Sequence, residues 1–132
     1  MSRLERTKGC RAERDVAALL RPLFPHVRTK RAGGESARED RGRDLLGTPA
    51  FCFQVKVGVH PYPLKALREA QAAALEDEMP VAICREDRQE WTATMPLEGL
   101  LALIALAREA GQGIASDALG DEPELGSPPR VG

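Results

Sequence analysis

The sequence predicts a mixed α/β (α+β) fold, with one central mixed β-sheet of about five strands and helices packed on its faces. Three observations carry this expectation. Apolar residues recur at helical spacing in three segments, near the start, the middle and the end of the chain. Between them stand short runs rich in Val, Ile, Thr and aromatic residues, bounded by Gly, Pro and charged clusters. The middle helical segment separates two strongly apolar runs, so it can cross over between strands that lie parallel.

Each element has its own justification. Residues 9–22 predict a helix: Ala12, Val16, Leu19, Leu20 and Leu23 share a face, Arg11, Arg14 and Asp15 fall away from it, and Pro22 and Pro25 end it. Residues 27–31 read as a short strand. Residues 32–42 are Gly-rich and charged and predict a mobile loop. Residues 43–47 and 50–58 predict a β-hairpin turning at Thr48-Pro49. After Pro61 and Pro63 a helix is expected over 64–78, with Gln71 on the stripe of Leu64 and Leu67 as a buried amide. Residues 80–85 predict a buried strand and the alternating residues 91–95 its neighbour. Pro96 opens a last helix, apolar around most of its circumference through Ala107. From Gly111 the chain is Gly, Pro, Ser and acid without period, so 1–110 is expected to be one domain and 111–132 a disordered acidic tail.

Composition narrows the classes of function. The net charge of −1 conceals an asymmetry: residues 1–68 carry 15 Lys or Arg against 7 Asp or Glu, and residues 69–132 carry 4 against 13. A basic half of that kind can face nucleic acid. No apolar run nears the roughly 18 residues of a membrane span. The N-terminus, with Arg3, Glu5 and Arg6, lacks the apolar stretch of a secretory signal. A cytoplasmic protein without a membrane partner is therefore expected. Cys10, Cys52 and Cys84 are odd in number and widely spaced, and read as reduced thiols rather than a zinc site or a disulfide framework.

The chemistry concentrates around Lys56. Residues 51–57 read Phe-Cys-Phe-Gln-Val-Lys-Val, an apolar strand in which Gln54 and Lys56, two apart, point to one face. A Lys in so apolar a run needs a partner or a charged ligand. Asp44 stands ten residues before Gln54. A hairpin between them brings a carboxylate, an amide and an ammonium to one sheet edge, a set suited to holding a divalent metal and activating water against a phosphodiester. Glu13 lies about 20° from Leu20 on a helical wheel, at the border of the apolar face, and is expected to point toward the sheet.

At these residues the chain resembles a family. Lys8-Gly-Cys-Arg-Ala-Glu-Arg14 is similar to the Lys-Gly-x-x-x-Glu-Arg opening of archaeal-type Holliday junction resolvases, within the PD-(D/E)xK nuclease superfamily. The family's Gly/Ser-containing loop, Asp-leading strand and Glu-x-Lys strand have counterparts in Gly33-Gly-Glu-Ser36, Asp44-Leu-Leu and Gln54-Val-Lys56. The resemblance covers roughly residues 7–85. It implies a restriction-endonuclease-like core, metal-dependent endonuclease activity on DNA, and Mg²⁺ as cofactor with Mn²⁺ able to substitute. Asp44, Gln54, the Val55 carbonyl and Glu13 become metal ligands, Lys56 orients water, and Ser36 reaches the scissile phosphate. Two departures stand out: Gln54 occupies the usual Glu position, and Arg43 rather than Pro precedes Asp44.

Arg3, Arg6, Lys8, Arg11, Lys30, Arg31, Arg38 and Arg41 are expected to hold the DNA backbone, contacts that position without reading bases. Aromatics are few, so recognition by shape of a branched DNA fits better than base stacking. Symmetric cutting of a four-way junction, in recombination or repair, implies a two-fold homodimer, with the last helix a candidate interface. Two alternatives stay open: another PD-(D/E)xK nuclease, of phage replication-repair or restriction type, cutting flaps or duplex, and a DNA-binding module inactivated at Gln54.

Overall fold

The computed structural model describes residues 3–30 and 42–111, with side chains from Thr7 onward. The expected 32–42 loop and the 111–132 tail fall almost wholly outside the described residues. The elements follow the expected order: α1 (Arg3–Leu20), β1 (Arg28–Thr29), β2 (Leu45–Leu46), β3 (Phe51–Gly58), α2 (Pro63–Ala73), β4 (Met79–Glu86), β5 (Thr92–Thr94) and α3 (Leu97–Glu109). The chain divides into two units at Pro96, so α3 is described by itself. It carries exposed Leu97, Leu100, Leu101, Ile104 and Leu106. Among the described residues no helix is long and apolar enough to cross a membrane.

The strands form two sheets rather than one. β3, β4 and β5 make a mixed sheet, with β3 parallel to β4 in the register Gln54↔Ala82 and Lys56↔Cys84, and β5 antiparallel to β4. α2 is the crossover between the parallel strands, as its position in the chain requires. β2 pairs with β1, Thr29 opposite Leu45, instead of forming a hairpin ladder with β3. One backbone bond, from Asp44 N–H to the Phe53 carbonyl (3.2 Å), joins the two sheets next to the site. The reason is local. Gly47 at φ +79° and Ala50 at φ +75° turn the chain sharply either side of Thr48-Pro49. The Thr48 hydroxyl then donates to the Phe51 carbonyl, leaving no run of paired residues on the β2 side.

Strand alternation sorts the core into two faces. Phe53, Val55 and Val81 pack with Ala12, Val16 and Ala17 of α1, and Phe51, Val57 and Ile83 join them. Ala82 and Cys84 pack instead with Ala66 and Leu67 of α2. Gln54 and Lys56, in step with Ala82 and Cys84, therefore belong to the α2 face.

Three expectations need correction. α1 begins at Arg3 and ends at Leu20, ahead of Pro22, and Leu19 and Leu23 are exposed because the chain turns through residues 21–26 before the face can continue. α2 ends at Ala73, because Ala74 is extended at the C-cap. Gln71 is exposed: Ala66, Leu67 and Ala70 form the buried stripe and exclude it.

Candidate functional site

Asp44 sits at the entry to β2, 8% exposed, and is fixed by two bonds to β3. Its N–H donates to the Phe53 carbonyl, and its Oδ2 accepts the Val55 N–H at 2.8 Å. A residue in a strand directs its N–H and C=O to the same edge. The Val55 carbonyl thus opens toward the edge that Asp44 occupies, away from β4. The other carboxylate oxygen, Oδ1, lies 3.5 Å from Lys30 Nζ, an ion pair longer than a charge-assisted hydrogen bond. Lys30 follows Thr29 and so stands opposite Asp44, one step beyond the β1–β2 pairing.

Gln54 is 4% exposed and its Nε2 donates to the Gly42 carbonyl at 2.7 Å. That bond orients the amide and leaves Oε1 with no protein donor among the described residues. Lys56, half-exposed on the same face, holds Glu69 of α2, Nζ to Oε1 3.2 Å. Asp44, Gln54, Lys56 and Glu69 line one open cleft of about 400 Å³, whose walls are closed by Gly42 and by Ala72 and Ala73 of α2. The two carboxylates are each matched by a lysine, so the cleft is polar but close to charge balance.

Behind it, Arg43 is buried and grips Glu78 with both terminal nitrogens, at 2.9 and 2.6 Å. Cys52, on the same strand as Gln54, has its thiol pushed above its ordinary value by burial, and further by Glu78 and Asp44, against the opposing pull of Arg43. Burial likewise raises Cys84, against the pull of Lys56. Both thiols are neutral and free, as the sequence led us to expect.

Of the residues singled out from sequence, the structure brings Asp44, Gln54 and Lys56 together on the cleft, with Val55 and Lys30 against the Asp44 carboxylate. Glu13 is buried, but on α1, which covers the other face of β3, and it is not among the described residues of the cleft. Ser36, Arg31, Arg38 and Arg41 lie outside the described residues, as do the side chains of Arg3 and Arg6. Lys8 is paired with Asp87 at 2.7 Å, and Lys30 is committed to Asp44 rather than standing clear on a surface. Arg11 is exposed beside a second cavity of about 360 Å³, where Lys8, Arg85 and Arg88 add positive charge and Asp15 and Asp87 offset it. A larger cavity, about 490 Å³, includes none of Asp44, Gln54 and Lys56.

Sequence reasoning missed Glu69. Its signal was its place on the crossover helix, which must lie over the face carrying Gln54 and Lys56. Among the described residues no group of three or more His, Cys, Asp or Glu is placed to hold an ion. What the cleft offers is a mixed set of hard oxygens: two carboxylates and an amide oxygen without a donor among the described residues. That chemistry suits Mg²⁺ or Mn²⁺ better than a soft metal. No family model, no curated protein and no solved structure matches the chain.

Proposed function

We propose that this chain is a Mg²⁺-dependent, structure-specific DNA endonuclease that resolves four-way junctions by paired phosphodiester hydrolysis, acting as a homodimer on a restriction-endonuclease-like core. The observation that carries the reading is the convergence of Asp44, Gln54 and Lys56 on one cleft, with the Asp44 carboxylate bonded to the Val55 N–H. They are part of the family resemblance, which also rests on Lys8–Arg14 and Gly33–Ser36.

Each side chain has a task it can perform from its position. The Val55 N–H holds one oxygen of Asp44 and so aims the carboxylate. The Gly42 carbonyl holds the amide nitrogen of Gln54 and so presents its oxygen. Asp44, Gln54 and the Val55 carbonyl are the groups that would hold Mg²⁺. When bound, the ion polarises a phosphoryl oxygen and lowers the pKa of a water. Lys56, one pleat beyond Gln54 on the same face, orients the attacking water and offsets negative charge building on the phosphoryl oxygens. Lys30 adds a second ammonium at the rim of the same carboxylate. Backbone contacts along the DNA fall to Lys8 and Arg11, with Arg3, Arg6, Arg31, Arg38 and Arg41.

The test is cleavage of a labelled four-way junction, a flap and a linear duplex, each with and without Mg²⁺. Paired Mg²⁺-dependent cuts confined to the junction support resolution. Preference for flap or duplex moves the reading to another nuclease of the superfamily. Salt-sensitive binding without cleavage under Mg²⁺ or Mn²⁺ moves it to a DNA-binding module.

A further inference from the structure

The cleft contains a carboxylate that the resemblance does not account for. Glu69 lines it from α2, together with Asp44 and Gln54. Two observations set this acid apart from an ordinary charged surface. The first is Gln54. A side chain 4% exposed, with its nitrogen committed to Gly42 and its oxygen accepting nothing from the described protein, presents an unmet acceptor at the cleft. That oxygen is not sealed from solvent, so a cation entering the cleft can reach it. The second is the weakness of Glu69's own tie. Among the described residues it is held by Lys56 alone, 3.2 Å away, in a pair with both side chains more than a third exposed. Such pairs hold weakly, and a divalent cation can displace the lysine.

We propose that Glu69 supplies the second carboxylate of a divalent-cation site whose other oxygens come from Asp44 and Gln54, an inference that rests on the nuclease reading above. An acid at position 54 would put two negative charges on neighbouring strands. Here position 54 is neutral, and the missing charge stands on the crossover helix. Lys56 and the cation compete for one carboxylate. Cation binding releases Lys56 Nζ toward a phosphate, and a phosphate that draws Lys56 away releases Glu69 to the cation. Cation and DNA therefore bind with positive coupling, each raising the affinity of the other by the same factor.

The experiment is Mn²⁺ titration of the full chain without DNA, read by electron paramagnetic resonance. The wild type binds Mn²⁺ and Asp44→Asn loses it. Glu69→Gln weakens binding by about tenfold or more, since ligand charge sets affinity at such sites. Gln54→Glu placed on top of Glu69→Gln restores the affinity, and Lys56→Met alone tightens binding. Glu69 is part-exposed, so its variant keeps the fold, which circular dichroism melting checks. Wild-type affinity in Glu69→Gln, with loss in Asp44→Asn, overturns the role of Glu69 and leaves the nuclease reading intact. Unchanged affinity in Asp44→Asn, or no Mn²⁺ binding by the wild type, overturns both. Mn²⁺ binding in the proposed pattern without cleavage of any branched DNA keeps the cation site and removes the nuclease.

Discussion

Arg43 and Glu78, 35 residues apart, form a bidentate ion pair buried behind the cleft. Arg43 also donates to the Ala73 carbonyl at 3.3 Å, and Glu78 accepts the Leu75 N–H at 2.9 Å. The pair thus ties the residue before Asp44 to the end of α2. It sets the spacing between the strand side of the cleft and the helix side, where Glu69 lies. Arg43→Met takes the guanidinium away from the buried Glu78 carboxylate, at a cost of about 3–5 kcal/mol. Urea unfolding measures this. Arg43→Met with Glu78→Met recovers most of the loss, and a double variant no better than the single one argues against a buried pair.

Asp44→Asn abolishes cleavage while junction binding stays near wild type. An Asn oxygen still accepts the Val55 N–H, so the fold survives, while the negative charge and the oxygen facing Lys30 are removed. Gel-shift affinity and single-turnover cleavage on the same junction separate the two effects. Cleavage at the wild-type rate sinks the site assignment.

Gly47→Ala is destabilising twice over. The backbone there has φ +79°, and a Cβ would run into the carbonyl oxygen of His26. Strain of this kind costs on the order of 1–3 kcal/mol before the clash is counted. Thermal melting of the variant checks the sum, and an unchanged midpoint means the turn is not built this way.

The thiols of Cys52 and Cys84 predict a pH dependence. Burial raises both above the ordinary 9.0, so the folded chain holds these protons more tightly than the unfolded one. The resulting stability is complete below that value and is lost as pH rises through the raised folded values. Melting curves between neutral and alkaline pH show the loss, and Cys52→Ala with Cys84→Ala flattens it. In native protein at neutral pH, iodoacetamide labels Cys10, which is half-buried, ahead of the other two.

Junction affinity falls steeply with salt. Contact with about six phosphates gives a loss of roughly three decades between 50 and 200 mM. Filter binding across that range is the measurement. Lys8, already paired with Asp87, contributes less to the slope than Arg11, so Arg11→Ala flattens it more than Lys8→Ala. An affinity independent of salt removes DNA as the partner.

The sequence by itself determined the order of the eight elements, because covalent geometry imposes a period of two on strands and 3.6 on helices. It also put Gln54 and Lys56 on one face, since alternation needs no knowledge of neighbours. The short link through Thr48-Pro49 was enough to bring Asp44 beside them. Tertiary structure alone decided the rest. β2 turned to β1 because Gly47 and Ala50 redirect the chain, a matter of backbone angles that composition does not encode. α1 settled on the face of Phe53 and Val55, and Glu13 on that helix is not among the residues that line the cleft. Glu69 came to the cleft through the rotation of α2 about its own axis, which Ala66, Leu67 and Ala70 fix by burying against the sheet. Arg43 met Glu78 across 35 residues of chain. Each of these depends on distances of a few ångströms between segments remote in sequence, and such distances exist only once the core has packed.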